Sequence, residues 1–414
     1  MTAAAPVSSV GELERRYLSG TFAELCRIES PSGHERRCAE RVIAELRALG
    51  VDVHEDDAGP RVGSDCGNLL ARIPGGVDGE VAADDVGAAR IAAGGFARAD
   101  GGRRSLLLCA HLDTVPLHAP VEPVLVDGFW ENANEGILGA DNKAAVAVLL
   151  ALARHVRREG APVDLELLFT VGEEVSLAGA RAFDAAALRS DFGYVFDHAS
   201  PIGELVTDSP THFRLRAAFR GAAAHAGIRP EEGRSAILAA ARAIEAMRLG
   251  RLQDGSTVNV GMISGGSAIN VVPEHCALEM EARAFGDERA EALVAEILER
   301  VHEAANLPDC DCDVDVSVQR TFSGFRLAPS MPALRVAESA LRACGHEPVR
   351  ISSGGASDAN ELLAQGFQAV NMANGTERNH EPGERVSVLA LEQMLHVAFA
   401  LLEQAASLAP SAAL

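Results

Sequence analysis

The chain contains the stretch Leu106-Leu-Leu-Cys-Ala-His111-Leu-Asp113-Thr-Val-Pro116, in which an apolar run typical of a buried strand leads directly into a His-x-Asp pair. A second apolar run, Leu165-Glu-Leu-Leu-Phe-Thr-Val-Gly-Glu173-Glu174, leads into paired carboxylates. In an open α/β sheet, ligands bind outside the carboxyl ends of the strands. Polar side chains at two such ends therefore predict a site for chemistry at one edge of a sheet.

The regions around these two stretches alternate between strands and helices. We predict strands over 105–110, 163–171 and 193–197, with helices over 142–157 and 177–188 between them. This order is typical of an α/β fold, a mostly parallel sheet flanked by helices.

From residue 211 the order changes. Strand, helix, strand, strand, helix and strand are predicted over 211–220, 233–248, 257–264, 275–285, 287–305 and 311–319. This β-α-β-β-α-β order is that of a ferredoxin-like domain. We therefore predict a larger domain in two parts, residues 1–208 and 324–414, with a smaller domain inserted over 209–323.

Composition excludes some classes of function. The 414 residues carry 37 Lys and Arg against 59 Asp and Glu, a net charge of −22, which argues against nucleic acid or an anionic membrane as partner. The longest apolar run, Ala144–Ala153, is too short to span a bilayer, and the first 19 residues do not have the pattern of a signal peptide. The eight cysteines have no zinc-finger spacing. A cytoplasmic location is the default expectation.

Residues of metal-ligand type follow five separate core elements. They are His111 with Asp113, Asp141 in a turn before a helix, Glu173 with Glu174, Asp197 after a short strand, and His380 in a loop after a strand. Each has an ordinary alternative, and Asp141 alone would be interpreted as a helix N-cap. Five such positions together are harder to explain in that way, so a metal site is favoured.

The segments His111-Leu-Asp113-Thr-Val-Pro, Gly139-Ala-Asp141-Asn-Lys, Gly172-Glu173-Glu174 and the late His380 resemble the signature of the co-catalytic zinc metallopeptidases. That family contains peptidase T, glutamate carboxypeptidase, succinyl-diaminopimelate desuccinylase and aminoacylase. Two further segments resemble its lid-domain motifs: Gly221-Ala-Ala-Ala-His225-Ala-Gly and Gly265-Gly-Ser-Ala-Ile-Asn270-Val-Val-Pro273. The resemblance covers nearly the whole chain in order and is closest to peptidase T-like proteins. It implies that residues 1–208 and 324–414 form the catalytic domain and that 209–323 form a lid or dimerisation domain.

The resemblance implies two divalent metal ions per chain, zinc first, with cobalt or manganese as alternatives. The implied ligands are His111 and Asp197 for one ion, Glu174 and His380 for the other, and Asp141 bridging both. Glu173 would be the general base, and Asp113 would orient the first histidine. His198 stands where many relatives have glycine, which leaves open whether it or Asp197 faces the metal.

The resemblance also implies substrate-binding residues. His225 would stabilise the oxyanion, and Asn270 and Arg283 would hold a carboxylate or the backbone of the substrate. Without the resemblance, His225 would be interpreted as a loop histidine and Arg283 as a surface residue on a strand. The glycine-rich loop around Gly355 lacks the Walker lysine, so nucleotide binding is rejected, and a similar loop in the family lies beside the substrate.

The resulting hypothesis is a dinuclear metal hydrolase that cleaves an amide bond of short peptides, as an exopeptidase similar to a tripeptide aminopeptidase. We expect a homodimer in which His225 acts on the metal site of the neighbouring subunit. Two alternatives within the family are an N-acyl-amino-acid amidohydrolase and a dipeptidase. From another class, a non-catalytic dimerisation or binding module is disfavoured, because Glu173 and all five implied ligands are present.

Overall fold

The structure is a computed structural model and describes residues 11–76 and 103–408. The Gly-, Ala- and Asp-rich segment 75–102, whose composition predicts a surface insertion, lies almost entirely outside these residues. The strands are β1 (Val53–Glu55), β2 (Leu69–Ile73), β3 (Ser105–His111), β4 (Pro123–Val126), β5 (Phe129–Asn132), β6 (Asp164–Thr170), β7 (Phe192–His198), β8 (Glu204–Ser209), β9 (Thr211–Arg220), β10 (Gly250–Arg251), β11 (Thr257–Gly265), β12 (His275–Ala284), β13 (Asp313–Phe322), β14 (Phe325–Arg326), β15 (Val349–Ser352), β16 (Ala369–Ala373), β17 (Thr376–Glu377) and β18 (Arg385–Ser387).

Ten α-helices occur in the described part of the chain. They are α1 (Glu12–Cys26), α2 (Arg36–Ala48), α3 (Ala58–Val62), α4 (Ala140–Glu159), α5 (Ala178–Ala182), α6 (Ala236–Ala246), α7 (Asp287–Ala305), α8 (Pro332–Ala343), α9 (Asp358–Ala364) and α10 (Val388–Ala406). Serine side chains cap two of them, because Ser235 accepts a hydrogen bond from the Leu238 N–H and Ser387 accepts one from the Ala390 N–H.

The first of two compact units comprises the residues up to Thr207, Leu327–Ser352 and the residues from Ser357 onward. Its large sheet has the strand order β1-β2-β6-β3-β7-β16-β8, with β15 beside β8. β3 runs parallel to β6 and β7, and β16 runs parallel to β7. The mainly parallel sheet of the predicted α/β fold is therefore confirmed. Every residue of β3 is buried, as expected for a central strand covered on both faces.

The second unit comprises Asp208–Arg326 and Ser353–Ala356. Its antiparallel sheet has the order β10-β11-β12-β9-β13, and α6 and α7 pack against it. Alternate residues of β12 are buried, as in a strand with one covered face; they are Cys276, Leu278, Met280, Ala282 and Ala284. The predicted β-α-β-β-α-β order is confirmed, with the short β10 added before β11.

The second unit extends beyond the predicted range 209–323. Ser353–Ala356 joins it although these four residues are distant in sequence, because their backbone bonds to the start of the unit. The Ser209 hydroxyl donates to the Gly355 carbonyl at 2.9 Å, and the Ser353 N–H donates to the Asp208 carbonyl at 2.9 Å. The glycine-rich loop is thus part of the inserted unit.

Some local elements differ from the prediction. The helix predicted over 177–188 ends at Ala182 and is followed by a 3-10 turn, Ala185–Ala187, which the Asp184 side chain caps. The hairpin of β4 and β5 was not predicted, although its Asp127-Gly128 turn is a common hairpin signal.

The C-terminal helix α10 is the one helix in the described ranges that is long and apolar enough to span a membrane. It packs against α4 and α8, and 61% of its apolar window is buried inside the protein. The apolar composition of α10 follows from its position in the core of the first unit.

Candidate metal centre

Parallel strands of the first unit carry the predicted ligands at one edge of the sheet. His111 is the last residue of β3, and Asp197 is the penultimate residue of β7. Glu173 and Glu174 follow the end of β6, and His380 lies in the loop between β17 and β18, beyond β16. Because β3, β6, β7 and β16 run in the same direction, their carboxyl ends share one edge. All of these side chains contribute to one cluster.

The imidazole of His111 lies at the centre of this cluster and is 1% exposed. Its Nε2 is 3.2 Å from Asp141 Oδ1 and 3.6 Å from Asp197 Oδ1, so Asp197 and not His198 faces the cluster. Its Nδ1 lies 3.0 Å from the carbonyl oxygen of Asp113 and 3.3 Å from Asp113 Oδ1. Burial lowers the pKa of His111, but the surrounding carboxylates outweigh burial and raise it well above its usual value.

Asp141 lies between the two histidines. Its Oδ2 is 3.3 Å from His380 Nε2 and accepts a hydrogen bond of 2.8 Å from Asn379 Nδ2. The N-cap residue of α4 is Gly139, with a φ of 75°, and the Asp141 carboxylate contacts side chains, so the interpretation of Asp141 as an N-cap is wrong. Burial raises the pKa of Asp141, but the imidazoles of His111 and His380 outweigh it and lower the pKa.

His380 pairs with Glu174 at the outer side of the cluster. Its Nε2 is 2.8 Å from Glu174 Oε1. The bonds to Asp141 and Glu174 raise the pKa of His380 to about 10. The residue has a φ of 67°, in the left-handed region that non-glycine residues seldom adopt and that is common at functional sites.

Buried side chains hold the turn that carries the two glutamates. Four successive backbone N–H groups, from residues 171–174, each donate to such a side chain. Asn68 Oδ1 accepts the first at 3.1 Å, Glu35 Oε1 the second at 3.1 Å, and the two carboxylate oxygens of Asp113 the last two at 3.0 and 3.1 Å. Asp113 therefore contacts both the His111 ring and the backbone of Glu173 and Glu174.

The donor set fits divalent cations. His111, Glu173 and Asp197 place ligand atoms within 4.8 Å of one another, and so do His111, Asp141 and Glu174. Burial and then repulsion between carboxylates raise the pKa of Glu173 well above its usual value, and burial raises that of Asp197 to about 7. Five carboxylates share the cluster with two imidazoles, so bound cations would offset the excess of buried negative charge. Nitrogen and oxygen ligands of this kind suit zinc, manganese or cobalt.

Sequence reasoning missed several residues around the cluster. Glu35, Asn68 and Glu384 accept hydrogen bonds from the backbone of the loops that carry the predicted ligands, and Asn379 donates to Asp141. Asp358, at the start of α9, is 1% exposed and accepts a hydrogen bond from the Thr170 hydroxyl. No local motif identifies these residues, because they act on backbone or side chains that are distant in sequence.

The predicted substrate-binding residues of the second unit form two groups. His225 and Asn270 are exposed and lie in adjacent loops, since His225 pairs with Val271 and the Ala226 N–H donates to the Asn270 carbonyl. Arg283 donates to the Gly354 carbonyl at 2.7 Å, beside Gly355.

These two groups lie at opposite ends of β12. The loop that carries Asn270 leads into His275, the first residue of the strand, and Arg283 is the penultimate residue. The eight residue steps from His275 to Arg283 span about 26 Å at ~3.3 Å per residue. A tripeptide is about 10 Å long when extended. The two groups are therefore separated along β12 by more than the length of a tripeptide.

Two family models match the chain. The model described as peptidase dimerisation domain matches residues 211–307, within the second unit. The model described as peptidase family M28 matches residues 95–199, which include all five clustered carboxylates and His111. The two matches therefore fall on the two units separately.

Relatives and solved structures match almost the full length. An uncharacterised protein of Bacillus subtilis, YqjE, is 31% identical over 394 residues, which are 95% of this chain and 99% of that protein. The aminopeptidase PepT of Bacillus cereus has a TM-score of 0.82 and 32% identity, with 95% of this chain and 99% of that chain covered. A tripeptidase of Staphylococcus aureus has a TM-score of 0.85 and 29% identity over the same shares.

Proposed function

We propose that this chain, which belongs to the metallopeptidase family of peptidase T and is a metal-dependent hydrolase of short peptides, is an aminopeptidase acting on tripeptides. The observation that carries the proposal is the position of Asp141 between His111 and His380, with one carboxylate oxygen toward each ring. The PepT aminopeptidase and the tripeptidase described above support the choice of substrate.

We propose two divalent ions, with zinc as the first choice. His111 and Asp197 would hold one ion, Glu174 and His380 the other, and Asp141 would bridge them. Bound ions would supply Lewis acidity that stabilises negative charge on the scissile carbonyl and lowers the pKa of an attacking water. The excess of buried carboxylates supports a total charge larger than one cation brings.

Glu173 is proposed as the group that moves protons. It lies beside His111 and Asp197, and its backbone is fixed by Asp113. Its carboxylate would take a proton from the attacking water and return one to the leaving nitrogen, and a raised pKa suits a group that does both near neutral pH. Asp113 would orient His111 through Nδ1, which leaves Nε2 free to bind an ion.

We propose that the active form is a homodimer in which each site uses residues of both chains. His225 and Asn270 would act on the site of the partner chain, and Arg283, at the other end of β12, would bind the substrate of a different site. The separation of about 26 Å along β12 supports this division, since the two groups lie farther apart than the length of a tripeptide. The match to a peptidase dimerisation domain supports the homodimer.

The exposed edge of β11 is the proposed interface. β10 pairs with β11 only at Thr257 and Val258, which leaves the rest of that edge without a strand partner among the described residues. Met262 and Ile263 are 62% and 54% exposed there. An apolar, unpaired edge strand favours pairing with a second chain.

The chain's cysteines support a reducing compartment, and we propose the cytoplasm. All eight are unpaired thiols, seven of them buried. Proteins of oxidising compartments tend to pair such residues in disulfides.

A panel of substrates tests the proposed function. The zinc-loaded protein is incubated with tripeptides, dipeptides, N-acetyl amino acids and tripeptides whose amino end is blocked by acetylation. We expect the highest kcat/KM for tripeptides with a free amino end and the release of their first residue. Preferred cleavage of N-acetyl amino acids or of dipeptides would replace the tripeptidase by a deacylase or a dipeptidase.

A further inference from the structure

A buried carboxylate joins the two loops that carry Asp141 and His380. Glu384 is 1% exposed, and its side chain accepts three backbone hydrogen bonds. Its Oε2 accepts from the N–H groups of Leu138 and Gly139, and its Oε1 accepts from the N–H of Asp141, each at 2.8 Å.

The loop before α4 needs an acceptor of this kind. The first N–H groups of a helix have no partner within the helix, and the N-cap residue of α4, Gly139, has no side chain that could accept from them. Gly139 has a φ of 75°, and Asp141 has non-helical dihedral angles. The helix therefore cannot fix the direction of the Asp141 side chain, and Glu384 holds the backbone at that residue and at the two residues before Ala140.

Glu384 also belongs to the same loop as His380. It follows His380 by four residues and directly precedes β18, which pairs with β5 through Arg385 and Glu131. Its carboxylate thus connects a segment anchored in one small sheet to the backbone of Asp141. We propose that Glu384 is a positioning residue that sets the distance between Asp141 and His380 and so the affinity of the site for its second ion; this inference rests on the proposed two-ion site.

Only a carboxylate matches the donors at this position. A carboxylate accepts on both oxygens, whereas a glutamine amide accepts on one oxygen and donates from its nitrogen. In Glu384→Gln, the amide NH₂ would face a backbone N–H, either that of Asp141 or those of Leu138 and Gly139. One side of the loop then loses its acceptor while the volume of the side chain is kept.

The chain offers a matched control for the loss of a buried carboxylate. Glu166 is 2% exposed. Its Oε2 accepts from the N–H groups of Arg189 and Ser190 and from the Ser190 hydroxyl, at 2.7–2.8 Å. It lies within β6 near the amino-terminal end of the strand, and it holds backbone that carries none of the proposed ligands.

The test compares the zinc affinity of Glu384→Gln, Glu166→Gln and the wild type. Each metal-free full-length protein is titrated with zinc against a chelating competitor, and thermal melting and steady-state kinetics are measured on the same samples. We expect the wild type to bind two ions and Glu384→Gln to bind the weaker one 10–100-fold less tightly, the usual effect of losing a partner that orients a ligand. Its kcat should fall more than its KM changes, and saturating zinc should restore part of it.

We expect Glu166→Gln to melt at a lower temperature and to keep wild-type zinc affinity. Unchanged zinc affinity in Glu384→Gln, or an equal loss of affinity in both variants, would show that Glu384 serves stability alone. If the glutamine variant does not fold, Glu384→Asp replaces it, with the same expected loss because the shorter carboxylate cannot reach all three N–H groups. A wild type that binds one ion would instead refute the proposed two-ion site, and the titration separates that result from the others.

Discussion

Glu173 and Glu174 are neighbours in sequence but have different partners. Glu174 Oε1 lies 2.8 Å from His380 Nε2, whereas Glu173 lies beside His111 and Asp197. By distance alone, either carboxylate is close enough to serve as a ligand. Separate substitution of the two residues distinguishes a ligand from a proton carrier.

We expect Glu173→Ala to lower kcat by ~10²–10⁴-fold, the usual effect of removing a general base, while two ions remain bound. Glu174→Ala should lose activity together with one ion, because it removes a proposed ligand. Metal analysis after gel filtration, with activity measured on the same fractions, checks both. Loss of an ion from the Glu173 variant would make Glu173 a ligand.

Arg283 is held by groups of its own unit. Its guanidinium donates to Glu281 Oε2 at 3.1 Å and to the Gly354 carbonyl at 2.7 Å. His212 Nε2 lies 3.1 Å from the same oxygen of Glu281. The guanidinium is thus oriented by its own unit, which would lower the entropic cost of the proposed binding of a substrate carboxylate.

We expect Glu281→Gln to raise KM about 3–10-fold with a smaller change in kcat, because the weaker partner holds the guanidinium less firmly. Arg283→Lys should raise KM further, since an ammonium cannot make the same forked contacts. The control is Glu279→Gln, two residues earlier on β12, which loses a surface pair with Arg214. Equal kinetics of the Glu279 and Glu281 variants would show that Glu281 does not position Arg283 for substrate binding.

The cluster residues could be predicted from the sequence because each follows a strand or opens a helix and has a ligand side chain. Glu35, Asn68 and Glu384 could not, since a glutamate or asparagine in a loop has the same appearance whether it is solvated or bound to distant backbone. The same holds for the bond from Arg283 to the glycine-rich loop, which depends on a contact over 71 residues.

The turn after β6 is held by Asn68, the residue directly before β2. Asn68 accepts from the Val171 N–H, and its amide donates to Asp56 Oδ2 and to the Gly179 carbonyl. Removal of this side chain leaves the buried N–H of Val171 without a partner, whereas the Gly179 carbonyl still accepts from the Phe183 N–H at 2.9 Å.

We expect Asn68→Ala to lower the free energy of unfolding by about 1–3 kcal/mol, the usual cost of one unsatisfied buried N–H group. The kcat should fall as well, because the turn also carries Glu173. Urea denaturation followed by circular dichroism measures the first effect. A variant as stable as the wild type would show that water replaces the lost bonds.

The elements that were predicted well are those with a clear periodic pattern of apolar residues. β12 and β3 follow the patterns of a strand covered on one and on both faces. The helix after Glu174 was predicted too long because its apolar residues continue through the 3-10 turn at Ala185–Ala187, where hydrophobicity does not distinguish one helix type from another.

For the whole molecule, the division of the proposed site between two chains has a direct test. His225→Ala and Glu173→Ala are each expected to be inactive as pure proteins. After subunit exchange, half of the dimers in a statistical mixture are hybrids with one complete site, so about a quarter of the wild-type activity should return. Activity is measured before and after exchange, which is verified with a tag on one chain.

Two results would oppose this arrangement. No recovery after verified exchange would place His225 in the site of its own chain or outside catalysis. A wild-type monomer with full activity would have the same consequence. A mixture of His225→Ala with Asn270→Ala serves as the control and should stay inactive, because both lost groups are proposed to come from the same chain.

The proposed division of the site between two chains would also make the rate of catalysis depend on subunit association. When the enzyme is diluted below the dissociation constant of the proposed dimer, each separated chain would keep its proposed metal ligands but would have no complete site. Below the dissociation constant, turnover per chain should be proportional to the total enzyme concentration, so the initial rate should rise with the square of that concentration. Above the dissociation constant, the initial rate should rise linearly with enzyme concentration. A rate that stays linear through the range where sedimentation shows monomers would mean that one chain is sufficient.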